Sequence, residues 1–174
     1  VTSPLLMMVA IIIKLDSKGP VFFRQTRIGQ HGKPFKICKF RTMTNASGSY
    51  VTTSDDPRIT PIGHWLRRTK IDCLSELFNV LAGQMSFVGP RPDVPGYADQ
   101  LTGTDRNILL MKPGITGPAS LKYRNEENLL AQQTDPQHYN DTIIWPDKVK
   151  INLEYQRHWT LCIDFRIIIS TFFH

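Results

Sequence analysis

The chain is short of acid, of cysteine and of any apolar run long enough to cross a bilayer. Cys38, Cys73 and Cys162 are odd in number and far apart, so no disulfide framework can be written, and no Cys-x-x-Cys or paired-histidine spacing reads as zinc. Reduced thiols in a cytosol-facing protein are the expectation. A glycine-rich phosphate loop, a Ser-His-Asp order, internal repeats and low-complexity linkers are all missing. With 15 acidic residues against 21 basic ones, the net charge is +6. That excess calls for an anionic partner: nucleic acid, a phospholipid surface or a phosphorylated substrate. The 174 residues, 41% hydrophobic and 21% charged, suit one globular domain with a real core.

The longest apolar run, Pro4 to Ile13, stops at Lys14. A span needs ~20 residues, and neither the basic leader nor the cleavage site of a signal peptide accompanies the run. It reads as a core helix, an interfacial helix, or half of a longer membrane segment. Proline disfavours helix in the residue before it, so a helix arriving from upstream would break at Ser3-Pro4. A re-entrant helix is one outcome. The start at Val1 and the apolar end, Ile167 to Phe173, read as cuts from something longer.

Val21–Gln25 and Phe35–Arg41 are aromatic and β-branched, and Gln30-His31-Gly32-Lys33-Pro34 between them has turn chemistry, which predicts a β-hairpin. A polar surface loop is expected from Thr44 to Pro57. Helix is expected over Ile62–Arg68, from Thr69 to Gly83, over Asp99–Leu110, Asn125–Gln133 and Asp147–Trp159. Met85–Pro95 reads as an irregular crossing, and Lys112–Gly117 as a turn. In the second helix Ile71, Leu74, Leu77, Phe78 and Leu81 form an apolar stripe expected to face the core, with Asp72, Glu76 and Asn79 opposite. The class is α+β, a mainly helical body with a small hairpin.

Thr69-Lys70-Ile71-Asp72 fits a capping box, the plain structural reading of Asp72. The same place has chemical consequences. The first turn of a helix presents free N–H groups and positive potential, which favour an ionised carboxylate and attract phosphate. An ionised Asp there can act as nucleophile or metal ligand. Arg67 and Arg68 precede it, and Arg91 follows in Gly89-Pro90-Arg91-Pro92. A guanidinium fork matches phosphate geometry, although each Arg alone is also an ordinary surface residue. Lys36, Lys39 and Arg41 interleave with Phe35 and Phe40. That pattern fits a stacking platform for nucleic acid or a strand beside lipid headgroups.

These blocks, taken together, resemble the bacterial sugar transferases, the monotopic phosphoglycosyl transferases. The resemblance runs nearly end to end. It comprises Ser3-Pro4-Leu5-Leu6, Lys18–Gln25 with Arg27-Ile28-Gly29, Lys39–Met43, Asp56–Thr60, Phe78–Leu81, Met85–Pro92 and Pro113–Gly117, in the family's order. It implies a re-entrant membrane helix, here residues 1–15 in part, and a catalytic domain over 16–174 at the cytosolic face of the bacterial inner membrane, held to one leaflet. It further implies transfer of a phospho-sugar from a UDP-sugar to polyprenyl (undecaprenyl) phosphate with Mg²⁺, starting capsule, O-antigen, exopolysaccharide or glycoprotein synthesis, with downstream glycosyltransferases as possible partners and no nucleic acid. The family's nucleophilic aspartate maps onto Asp72, which would also meet the metal. Arg67 and Arg91 map onto active-site arginines, and Lys39 and Arg41 join them as expected phosphate-binding residues.

Two positions depart from the family pattern. Cys73 stands where a glutamate follows the nucleophile, and Ser75 where a proline is usual. A thiol is largely neutral near pH 7 and bonds weakly. Glu76, one turn from Asp72, is the candidate substitute. Two rivals follow from this: a catalytically impaired relative that binds nucleotide-sugar or partners, and a non-enzymatic basic module at a membrane surface or on nucleic acid.

Overall fold

The computed structural model describes residues 3–44, 52–53 and 56–173. It is mainly helical with a small antiparallel hairpin, as expected. Most of the predicted loop from Thr44 to Pro57 lies outside the described residues. Helix α1, Ser3–Asp16, holds Pro4 in its first turn, where a missing N–H is harmless. Val9 and Ile13 on one side pack with Phe40 and Leu66, while Met7, Met8, Ile11 and Leu15 remain exposed. No helix among the described residues is long and apolar enough to cross a membrane.

The hairpin pairs β1, Phe22–Ile28, with β2, Pro34–Phe40. Residues directly opposite share a face. Phe22 and Phe40 stack toward α1 at 5.4 Å between centroids. The other face places Phe35 opposite Arg27, Ile37 opposite Gln25 and Lys39 opposite Phe23. Phe35 and Ile37 pack there with Met85, Val80 and Ile115.

Beyond β2, Arg41 is buried, and its guanidinium donates to the carbonyls of Ile13 (3.2 Å), Ser17 (2.7 Å) and Lys18 (2.8 Å). A cation there meets the carbonyls and negative dipole at the end of α1. Gly19 makes room for it: a Cβ at that position would lie 2.1 Å from Arg41 Nη1, on a backbone with φ +131°.

Helix α2, Pro61–Thr69, starts with the Thr60 hydroxyl accepting from Gly63 N at 3.0 Å. It ends at Lys70, which adopts left-handed φ 58° and ψ 16°. The continuous helix and capping box predicted from Thr69 onward do not form. Thr69 Oγ1 instead donates backwards to the carbonyls of Trp65 and Leu66. A 3₁₀ segment, Ile71–Glu76, follows, and then the short α3, Leu77–Leu81.

This segment also lies the other way round from the predicted stripe. Asp72, Ser75, Glu76 and Asn79 are buried, whereas Phe78 is 48% and Leu81 85% exposed. The reason is the outer edge of β2, which has no third strand to pair with. Asn79 takes that place: its Oδ1 accepts from Cys38 N at 2.9 Å, and its Nδ2 donates to Lys36 O at 2.9 Å. Ser75 Oγ donates to Cys38 O at 3.0 Å. Buried backbone groups must be paired, so this polar face goes inward.

The crossing predicted to be irregular contains β3, Ser86–Val88, parallel to β4, Gly114–Thr116. Over 98–110 the chain makes two 3₁₀ turns, Ala98–Gln100 and Asp105–Leu110, in place of the predicted helix. Helices α4, Pro118–Lys122, α5, Glu126–Ala131, and α6, Pro136–Tyr139, lead through a π turn into α7, Trp145–Arg157. Helix α8, Leu161–Phe173, closes the fold, burying Ile167 with Val88 and Tyr155. Leu161, Phe165, Ile169, Phe172 and Phe173 remain exposed on α8.

Replacing Asn79 by Ala strands two part-buried backbone groups of β2, at about 1–2 kcal/mol each. Asn79→Ala is expected to lose about 2–4 kcal/mol in denaturant titration, whereas Leu81→Ser should stay within about 0.5 kcal/mol. The reverse ranking would mean that the apolar stripe faces inward.

Candidate active site

Lys70's left-handed turn sends the chain from α2 back across the hairpin and carries Asp72, Cys73 and Glu76 to the end of β2. There Lys39 Nζ lies 3.1 Å from Glu76 Oε1 and donates to Cys73 Sγ at 3.6 Å. Glu76 is 3% exposed and Lys39 15% by side chain. An ion pair this far from water persists as a unit, since losing either partner strands the other charge. Asp72 is adjacent and buried, and its Oδ1 has no hydrogen-bond partner.

A crevice opens beside this pair, lined by Arg27, Ile37, Lys39, Glu76, Arg91, Pro92, Gly114 and Ile115. Arg91 is exposed at its mouth. Arg27 reaches it from β1, and its Nη1 donates to Pro92 O at 3.1 Å. Of the residues that the sequence nominated, the structure therefore gathers Lys39, Cys73, Glu76 and Arg91, with Asp72 alongside.

It does not bring the others. Arg41 is consumed by the end of α1, which leaves it no place in the crevice as a phosphate ligand. Arg67 is turned toward α5: Nε donates to Thr42 Oγ1 at 3.0 Å and Nη1 pairs with Glu127 at 2.9 Å. To meet a phosphate, Arg67 must first leave Glu127.

Burial sets the protonation states. It pushes the Cys73 thiol up to about 11, against the pull of Lys39 and Arg91. The residue at the family's glutamate position is thus a neutral thiol at pH 7. Burial also works against the Lys39 ammonium, but Glu76 and Asp72, joined by Cys73 once its thiol ionises at high pH, outweigh it and hold the lysine above its ordinary range. Asp93 is raised to about 6 by burial, against Lys148, Arg27 and Arg91.

Arg27 and Asp93 were not among the residues nominated from sequence. The predicted first strand stops at Gln25, but β1 runs to Ile28. Alternation extended by two residues would have placed Arg27 on the face of Ile37 and Lys39. Asp93 carries no signal beyond following Arg91-Pro92.

No group of three or more His, Cys, Asp or Glu able to hold a metal occurs among the described residues. Asp72 still fits Mg²⁺ chemically. Its orphaned Oδ1 is a hard oxygen, and Mg²⁺ habitually binds through one or two carboxylates and completes its shell with phosphate oxygens and water.

The thiol states can be read by alkylation. The thiolate is the reactive form, so a raised pKa slows labelling below it. At pH 8, iodoacetamide should modify exposed Cys162 well before Cys73, with Cys73 accelerating only as the pH approaches 11. Mass spectrometry of the labelled peptides checks the order; prompt labelling of Cys73 at neutral pH would contradict a neutral thiol.

The bacterial sugar transferase model matches residues 1–174. The chain is 39% identical over 178 residues to the UDP-glucose:undecaprenyl-phosphate glucose-1-phosphate transferase of Escherichia coli (strain K12), covering 98% of this chain and 36% of that protein. It is 35% identical to the UDP-N-acetylgalactosamine-undecaprenyl-phosphate N-acetylgalactosaminephosphotransferase of Aeromonas hydrophila, over 97% of this chain and 38% of that one. It is also 35% identical to the uncharacterized sugar transferase EpsL of Bacillus subtilis (strain 168), over 98% and 77%. The chain spans about a third of the length of the first of these relatives. On the match of the whole chain and on these identities, it belongs to the bacterial sugar transferase family.

Proposed function

We propose that this protein transfers a sugar phosphate from a UDP-sugar to polyprenyl phosphate, with Asp72 as the nucleophile. The observation that carries the reading is the buried Asp72 Oδ1, without a partner, beside Lys39 and the Arg91 crevice. A carboxylate taken from water and left unbonded is costly. A site that keeps one next to fixed cations is equipped to receive a phosphate ester. Relatives in the family carry names with the same reaction class.

In the first step an Asp72 oxygen attacks the β-phosphorus. The bond from that phosphorus to the bridging oxygen breaks, and UMP leaves with the electron pair. Lys39 and Arg91 hold the phosphate oxygens on which charge builds. In the second step an oxygen of the polyprenyl phosphate attacks the same phosphorus and the acyl phosphate bond to Asp72 breaks, restoring the carboxylate. Mg²⁺, held by Asp72 and the substrate's phosphates, would neutralise diphosphate charge. Glu76 keeps Lys39 charged and aimed.

An impaired relative is the second reading, and Cys73 favours it. A neutral thiol 3.6 Å from Lys39 stands where the family carries a glutamate. If that glutamate moves a proton or orients Asp72, the present chain is slow by roughly the 10²–10⁴-fold of general acid–base assistance.

UMP release in lipid with Mg²⁺ tests both readings. Asp72→Asn should abolish turnover while leaving the fold intact, and Cys73→Glu should raise it by roughly 10²–10⁴-fold. Full activity in Asp72→Asn would end the nucleophile assignment. Severe loss in Glu76→Gln, with no gain from Cys73→Glu, would transfer the glutamate's role to Glu76.

We further propose that the exposed apolar residues of α1, α3 and α8 rest on one leaflet of the bacterial inner membrane at its cytosolic face, with α1 belonging to a re-entrant helix. Full-length protein is expected to need detergent for extraction. Cysteines placed at both ends of the membrane helix should label only from the cytosolic side. Labelling of one end from outside would replace the re-entrant helix by a spanning anchor.

A further inference from the structure

Arg27 lines the same crevice as Lys39 and Arg91, yet the two steps above give it nothing to do. Its guanidinium is only partly engaged. Nη1 donates to Pro92 O, while Nε is buried and has no partner. The tie to Pro92, the residue after Arg91, holds Arg27 in the crevice that Arg91 also lines. Burial and the neighbouring Arg91 together bring Arg27 down to about 10, so it remains a cation at neutral pH.

Two like charges held close in a partly dry crevice repel. Glu76 relieves them only in part: it is paired with Lys39 at 3.1 Å, and its pull on Arg27 is smaller than the push of Arg91. Asp93 faces them, but burial weakens it as an anion. Arg27 is therefore left below its ordinary range, whereas Lys39 and Arg91 are held above theirs by the groups around them. The Nε–Nη2 edge of a guanidinium is also the side-on fork that takes two oxygens of one phosphate.

We propose that Arg27 is a phosphate-binding residue, and that its Nε–Nη2 edge holds the phosphate ester which Arg91 and Lys39 hold from the other side. The proposal rests on the sugar-phosphate transfer reading and assigns that site a third cation. The interior of the crevice, about 10 Å³, admits one water and no phosphate. Entry of the ester accordingly moves the exposed Arg91 side chain outward. The plain alternative is that Arg27 is a strut, serving only to fasten β1 to Pro92.

The experiment compares full-length wild type, Arg27→Gln and Arg27→Lys in lipid. UDP binding is measured by calorimetry, KM separately for UDP-sugar and for polyprenyl phosphate, and folding by thermal melting. Arg27→Gln should weaken UDP binding roughly 10- to 100-fold, as loss of a charge-assisted contact does. Arg27→Lys, which keeps the charge and loses the fork, should fall between. A rise in the KM for UDP-sugar alone assigns the edge to the nucleotide's diphosphate; a rise for polyprenyl phosphate alone assigns it to the lipid's. A folded Arg27→Gln with unchanged UDP affinity and both KM values unchanged overturns the proposal. So does failure of both variants to fold, which would make Arg27 the strut. Wild type that neither binds UDP nor releases UMP would instead overturn the transfer reading, so the two failures are told apart.

Discussion

A two-stranded hairpin has two bare edges, and the fold around this site is organised by how one of them is closed. The N–H and C=O of Cys38 and the C=O of Lys36 face away from β1, toward the interior. Asn79 and Ser75 supply side-chain atoms where a further strand would supply backbone. A carboxamide carries one acceptor and one donor in the spacing of a peptide group, so Asn79 imitates a strand in a single residue. Once Asn79 and Ser75 are committed to that edge, the turn before them fixes Glu76 against Lys39 and leaves Asp72 beside the pair. The candidate site and backbone satisfaction thus share one short segment.

The same arrangement explains what was legible in the sequence. The hairpin, α2, α5 and α7 announced themselves through aromatic and β-branched runs, turn residues and helical spacing. The stretch from Thr69 to Leu81 announced two unlike faces, correctly, but periodicity does not say which face is inside. The usual assignment assumes that water lies outside and apolar atoms within. Here the polar face answers an unpaired strand edge, a long-range requirement that no local pattern records. Thr69 illustrates the same limit: its spacing to Asp72 matches a capping box, yet its hydroxyl serves the helix behind it because Lys70 turns the chain.

The candidate site was half legible. Lys39, Glu76, Asp72 and Arg91 converge as the motifs implied. Arg41 matched the pattern equally well and went elsewhere, because the carbonyls ending α1 needed a cation more than the crevice did. Cys73 shows how little residue identity alone decides. In water its thiol would be partly ionisable; between buried neighbours it is pushed up to about 11 and becomes a neutral contact to Lys39. The acid–base character of this site is set as much by exclusion of water as by the side chains themselves.

Arg41 has one more consequence. It stands two residues after Lys39 and grips the final turn of α1 at Ile13 and the turn just beyond it at Ser17 and Lys18. The end of α1 and the strand end that presents Lys39 are therefore riveted to each other through one side chain. A tilt of α1 against the body would have to break these bonds or carry the end of β2 with it, which ties the seat of the helix to the alignment of the lysine.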